Sequence, residues 1–185
     1  WRIRILIYGK DFYIHDDVCI KNANKAKFGN HVAIDKGFYC TTQIEVGDYV
    51  HIAPYVIIIG GRDAKLIMKD YSGISAGCKI VCAGDDFASG YLMNPQVPIK
   101  YRKVINKPII FEKFACVGVN SVVLPGVHLA EGSVVGANSV ITKSTEPWTI
   151  YVGSPARPIK KRPAIHAHRL VEELENEIRS KSSMD

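Results

Sequence analysis

Residues 111–141 read FEKFACVGVNSVVLPGVHLAEGSVVGANSVI. Every sixth residue of that stretch, Phe111, Val117, Val123, Leu129, Val135 and Ile141, is apolar. Four residues after the first five of these stand Ala115, Ser121, Val127, Ser133 and Ser139, all small or modest in size. A period of six fits neither the 3.6 of a helix nor the 2 of a simple strand. It is a multiple of two, so each unit can be a short strand whose first and fifth residues face the same way. Pro125-Gly126, Glu131-Gly132 and Ala137-Asn138 supply residues suited to the corners between such strands.

The same spacing recurs earlier in Phe28, Ile34, Cys40, Val46, Ile52 and Ile58, with Val32, Phe38, Ile44, Val50 and Val56 four positions on. Shorter pieces stand at Ile14 and Ile20, and at Ile74 and Ile80 with Cys78 between them. Three short strands make one triangular coil of about 18 residues, and stacked coils pair their backbones about 4.8 Å apart. The spacing therefore predicts an all-β chain, a parallel β-helix of the hexapeptide class with a thin stacked core. A sandwich would show looser turn spacing, roughly 8–12 residues.

Composition agrees with one ordinary domain. The chain has 185 residues, 47% apolar and 23% charged, enough to build a core. No run of 18 apolar residues exists, so no membrane span is expected. Arg2, Arg4, Lys10, Asp11, Asp16 and Asp17 interrupt every apolar stretch near the start, so no signal peptide is read there. Cys19, Cys40, Cys78, Cys82 and Cys116 are odd in number, and the spacing of Cys78 and Cys82 has no second pair to match it. Neither a metal site nor a disulfide framework is expected, and a cytoplasmic, reducing location is.

The repeat breaks twice. The first break is residues 60–65; the second, residues 84–108, is too long for an idle connection, and Phe87, Tyr91 and Tyr101 argue against disorder. After Pro163, Leu170, Leu174 and Ile178 fall four apart among Glu172, Glu173, Glu175 and Glu177. This reads as an amphipathic helix that folds back over the open edge of the last coil. The expected organisation is a β-helix domain over 1–162, carrying the inserted loop 84–108, and a capping helix over 163–185.

Three segments, VGVNSVVLPGV (117–127), GSVVGANSVITK (132–143) and VGSPAR (152–157), resemble the hexapeptide-repeat acyltransferase family. The likeness is to its maltose and galactoside acetyltransferases, and more to its acetyltransferases of surface-polysaccharide sugars. It spans about residues 28–162. It implies a left-handed β-helix, a homotrimer, and acetyl-CoA in the groove between neighbouring subunits. The implied reaction moves an acetyl group to an amino or hydroxyl group of a sugar or nucleotide-sugar, as in lipopolysaccharide or other surface-glycan synthesis. The loop would reach a neighbouring subunit and help form the acceptor site, with Tyr91 and Tyr101 on the substrate. Tyr49, Tyr55 and Phe114 at outward positions argue independently for a covered surface.

Acyl transfer from a thioester needs a positioned acceptor, a proton acceptor and cations for the CoA phosphates. Relatives that acetylate hydroxyls carry a histidine where the chain enters the long loop. Here that place reads Cys82-Ala-Gly-Asp-Asp86, which favours an amino acceptor. His51 is the candidate base, with Asp85 or Asp86 expected beside it. His128 reads as a surface corner residue, and His166 and His168 are badly spaced for a metal. For CoA the resemblance implies the turn amides of Gly118, Gly136 and Ala137, then Thr142 and Lys143, and the basic group Arg157, Lys160 and Lys161. That group is the densest part of a net charge of +6. Trp148 and Tyr151 fit either the adenine or the core.

Two other functions share this repeat. One is a scaffold without chemistry, which the aromatic loop and the basic group oppose. The other is a γ-class carbonic anhydrase, which needs a His-x4-His pair, a spacing that no two histidines of this chain have. Nucleic-acid binding would use the positive charge, yet no recognised motif accompanies it.

Overall fold

The computed structural model describes residues 6–182, so the outermost parts of the two expected segments, 1–5 and 183–185, lie outside the described residues. The chain winds into about seven coils of parallel strands, stacked as a three-faced prism. The first face stacks Tyr13–Ile14, Ala33–Ile34, His51–Ile52, Gly73–Ile74, Cys116–Val117, Val134–Val135 and Thr149–Gly153. The second stacks Cys19–Ile20, Tyr39–Cys40, Ile57–Ile59, Lys79–Val81, Val122–Val123 and Val140–Ile141. The third stacks Lys27–Phe28, Gln43–Val46, Lys65–Met68, Ile109–Phe111 and His128–Leu129.

The sixth-residue rows are the core. Phe111, Val117, Val123, Leu129 and Val135 are fully buried, as are Ile34, Cys40, Ile52 and Ile58. Inward Ser121 and Ser139 are buried too, because their hydroxyls serve the backbone of the corners. Ser121 Oγ donates to the Gly136 carbonyl at 2.8 Å and accepts from the Ser139 N–H at 3.1 Å. Cys40 and Cys82 are core fillers: burial, with Cys40 adding to it, pushes the Cys82 thiol up to about 12.

Register shows where the two breaks go. Ile34 pairs with Ile52, 18 residues on. Ile52 pairs with Ile74, four residues more distant, because residues 60–63 bulge outward. Ile74 pairs with Val117, 43 residues on, because the long loop leaves between the second and third faces. Its root is an antiparallel ladder of Ala83–Asp85 with Val104–Asn106.

One corner carries a column of rings. His31, Tyr49, Tyr71, Phe114 and Trp148 all have left-handed backbone, with φ between 53° and 63°. Bulky residues disfavour that region. Here it aims each ring along the prism axis, where successive rings stack at 4.4, 5.1, 5.5 and 5.7 Å between centroids. Gly132 holds the rung between Phe114 and Trp148, and a Cβ there would lie 2.4 Å from the Trp148 ring. Tyr49 and Phe114 therefore pack within the column and are only half exposed, contrary to their expected role as free outward aromatics. Tyr55, on another corner, is 55% exposed.

The C-terminal helix α1 (Ile165–Ser182) follows this corner and does not cap the prism. His168 meets Phe114 edge-on at 5.5 Å, lies 5.3 Å from Trp148 and places Nε2 3.2 Å from Glu131. Two turns later Glu175 is close enough to Tyr71 to help burial and Tyr49 raise its pKa. The last edge of the first face is covered instead by the hairpin of Thr149–Gly153 with Ala156–Lys161. Leu174 is half-buried while Leu170 and Ile178 stay exposed.

Candidate active site

The first face carries His51, in the strand His51–Ile52. Its outward row, in register, is Tyr13, Ala33, His51, Gly73, Cys116, Val134 and Ile150. Each coil continues past the strand into a second row. Asp35, Ala53, Ser75, Gly118 and Gly136 each donate their N–H to the next coil, to Ile52, Ile74, Val117, Val135 and Tyr151. From Ala53 to Gly136 that second row holds only small residues.

His51 Nε2 lies 2.8 Å from Asp35 Oδ2, one coil below. This corrects the expected partnership with Asp85 or Asp86. His51 stands on the first face, whereas the loop bearing those residues leaves beyond the second. His15, His31 and His128 also pair with carboxylates, of Asp17, Asp11 and Glu112. Pairing alone does not single out His51; its cleft does. His51, Ala53, Gly73, Ile74, Ser75, Ala76 and Cys116 line a cleft of about 250 Å³.

Asp85 and Asp86 organise the loop. Asp85 accepts from Arg102 Nε and Nη2 at 2.9 and 2.7 Å and from the Asn94 N–H at 2.7 Å. The Asn94 N–H first, and then Arg102, hold its carboxyl below the usual range against the opposing effect of burial. Asp86 is lowered by Lys103, 2.9 Å away, and by the Ala88 N–H. Tyr91 and Tyr101 are about half exposed on the loop, and Phe87, Leu92, Met93 and Ile99 are exposed with them.

The expected CoA residues divide. Lys143 and Arg157 come together with Ile141, Ser144, Tyr151, Ala156 and Pro158 around a cleft of about 330 Å³ at the C-terminal end of the prism. Thr142 and Lys160 are exposed nearby. Lys161 is engaged elsewhere, with Glu146 at 2.9 Å and Thr149 Oγ1 at 2.7 Å. The Gly118 and Gly136 N–H groups are taken up by the ladder between coils. Their need for glycine is steric: a Cβ on Gly118 would lie 2.7 Å from the Ala137 N, and one on Gly136 2.7 Å from Val152 Cγ1. Ala137 is exposed at the same corner. Trp148 ends the ring column with Arg162 over it at 5.4 Å. Tyr151 turns inward, its hydroxyl accepting the Glu146 N–H at 2.9 Å.

Sequence reading missed Asp35, Ser75, Gly73, Cys116 and Arg102. The 18-residue step back from Ala53 leads to Asp35, so that residue was within reach of the repeat. The others lie across the irregular coils, where the step gives no guide. Among the described residues no group of three or more His, Cys, Asp or Glu is placed to hold a metal. No described helix is long and apolar enough to cross a membrane.

No family model matches the chain. Individual relatives do. A dTDP-4-amino-4,6-dideoxy-D-glucose acyltransferase of Escherichia coli is 34% identical over 83% of this chain and 81% of its own length. The putative lipopolysaccharide biosynthesis O-acetyl transferase WbbJ of E. coli K12 is 28% identical over 77% of this chain and 74% of its own. Among solved structures, the D94N variant of AntD, an N-acyltransferase from Bacillus cereus, in complex with dTDP and coenzyme A, superposes with a TM-score of 0.86 at 35% identity, covering 97% of this chain and 94% of that chain. The coils, the inserted loop and these relatives together establish that the chain belongs to the hexapeptide-repeat β-helix acyltransferases.

Proposed function

We propose that this protein is an acyl-CoA-dependent N-acyltransferase whose acceptor is the amino group of a dTDP-linked 4-amino-4,6-dideoxyhexose. One observation carries the reading. AntD variants altered at one serine or at an aspartate ten positions later have been crystallised with coenzyme A and with dTDP or dTDP-4-amino-4,6-dideoxyglucose. Ser75 and Asp85 are ten positions apart in this chain, one in the His51 cleft and the other at the root of the loop.

The roles follow from the chemistry. The neutral amine attacks the thioester carbonyl, an N–C bond forms, the C–S bond breaks, and the nitrogen gives up one proton while the CoA thiolate gains one. His51, oriented by Asp35, takes that proton, with Ser75 beside it in the cleft. Asp85, held ionised, attracts the incoming ammonium form and steadies the loop. Tyr91 and Tyr101 offer faces to the sugar or base. The pantetheine arm runs along the small-residue row outside Ser75, Gly118 and Gly136, and its phosphates meet Lys143 and Arg157, with Thr142, Lys160 and Ala137 at the rim.

His51 and Asp85 lie on different parts of one subunit, so a complete site requires the loop of one subunit over the first face of another. A homotrimer provides this, and it covers the exposed apolar residues of the loop. The five free cysteines fit a reducing compartment.

The test is to incubate the purified protein with dTDP-4-amino-4,6-dideoxyglucose and acetyl- or butyryl-CoA and follow free thiol release and product mass. Amide product with one thiol per turnover is expected. Thiol release only with sugars that offer a hydroxyl and no amine would overturn the assignment. Sedimentation at micromolar concentration should give three times the chain mass.

A further inference from the structure

Asp85 is held more closely than the loop root requires. Arg102 donates from Nε and Nη2 to Asp85 Oδ1 at 2.9 and 2.7 Å, and the Asn94 N–H donates to Oδ2 at 2.7 Å. The Arg102 and Asp85 side chains are only 13% and 10% exposed, whereas Lys103, the next residue, is 56% exposed. The root is already secured by the ladder of Ala83–Asp85 with Val104–Asn106 and by Asp86 with Lys103 at 2.9 Å. Ion pairs on protruding segments are commonly open to water and add little stability. A closed, forked pair in that position points to a use beyond folding.

A carboxylate offers about four acceptor sites. Among the described residues two donors occupy Oδ1 and one occupies Oδ2, so about one site remains, on Oδ2. The acceptor amine of the proposed reaction fits that site, and there the charge of Arg102 matters. An opposite charge within about 4–6 Å favours the charged form of a group by roughly 1–3 pH units. An unpaired carboxylate would therefore hold the amine as its ammonium ion, which has no lone pair and cannot attack a thioester. Arg102 is charged at every working pH, so the pair presents an acceptor with almost no net charge. A lysine would supply the charge without the planar fork.

The other titratable groups of the loop leave this balance in place. Asp86 and Lys103 offset each other, and Asp86 first, then Tyr91, raise the Lys103 pKa. Lys100 stands 4.7 Å from the centre of the Tyr101 ring, and Lys107 lies against Gly126.

We infer that Arg102 is a positioning residue of the transfer: it fixes Asp85 and offsets its charge, so that the carboxylate orients the sugar amine without holding it as the ammonium ion. This rests on the N-acyltransferase reading above and adds how the acceptor reaches its reactive form. The entering ammonium gives one proton to water. The neutral amine attacks, and His51 takes the second proton as the C–S bond breaks.

The experiment measures kcat against pH at saturating acyl-CoA for the wild type, Arg102→Ala, Arg102→Lys, Asp85→Asn and the double variant. In the wild type kcat should level off once the bound amine is neutral. Arg102→Ala should move that limb about one pH unit or more toward alkaline, with a tenfold or greater loss near neutral pH that is recovered at higher pH. Arg102→Lys should keep the limb near wild type and lose activity severalfold with the fork; it also serves if alanine perturbs folding. In the Asp85→Asn background Arg102→Ala should leave the limb where it is. A uniform loss with an unmoved limb would make Arg102 a structural bolt and overturn the inference. So would a shift that persists without Asp85, or one that lysine does not prevent. The ¹⁵N shift of amine-labelled dTDP-4-amino-4,6-dideoxyglucose, bound together with CoA, reads the same proton without turnover. Equal titrations in wild type and Arg102→Ala overturn this inference and leave the proposed function standing. A wild type that neither binds nor acylates the amino sugar overturns both.

Discussion

His51 and Asp35 face outward from successive coils of one face, with Nε2 and Oδ2 2.8 Å apart. The carboxylate fixes the ring orientation beside the cleft that holds Ser75 and Gly73. His51→Ala should lower kcat by about 10²–10⁴, the usual contribution of a positioned base. Asp35→Asn should cost less, about tenfold, with the KM for acyl-CoA unchanged. The double variant should be no slower than His51→Ala, because Asp35 acts through the ring. Steady-state kinetics on the three variants checks this.

Asp85 couples acid to loop order. Its folded pKa lies below the ordinary value, so its ion pair contributes fully above that ordinary value, about 3.9. The contribution is lost as pH falls through the lower folded value. Asp86 has the same sign. Amide exchange of residues 84–106 should therefore accelerate below about pH 4, before the buried coils respond. Arg102→Ala should loosen the same segment at neutral pH, while the melting of the coils changes little.

Lys143 and Arg157 line the cleft at the prism end, whereas Lys161 bonds Glu146 and Thr149. Lys143→Ala and Arg157→Ala should each raise the KM for acyl-CoA about tenfold, with the effect shrinking at high salt. Lys161→Ala should leave that KM alone. Titrating acyl-CoA at two salt concentrations distinguishes the three.

Two buried serines should answer differently to alanine. Ser121 Oγ makes two hydrogen bonds to the corners, and its removal should cost about 1–3 kcal/mol. Ser133 Oγ is buried and, among the described residues, has no hydrogen-bond partner. Ser133→Ala should be neutral or stabilising, by at most about 1 kcal/mol. Denaturant melts of the two variants give the comparison.

The fold was legible because the hexapeptide rule is local. Every apolar residue at sixth spacing from Phe111 to Ile141 is inward, and each inward residue repeats one coil later at nearly the same place. The helix over 165–182 was legible from its stripe, yet its seat was not. Where it docks depends on a ring column assembled from residues up to 117 positions apart, His31 to Trp148. Gly118 and Gly136 suit CoA by type and position. Their packing role shows only in the contact distance to the coil above.

What the sequence determined by itself is the period, and through it the coils, the core rows and the exclusion of a helix bundle or sandwich. Periodicity is a property of near neighbours and survives in one dimension. The tertiary structure decided which polar residues meet. Two irregular coils break the step of 18, so Ser75 and Cys116 reach His51 only through the actual winding. That winding gave His51 Asp35 as its partner and bound Asp85 to Arg102.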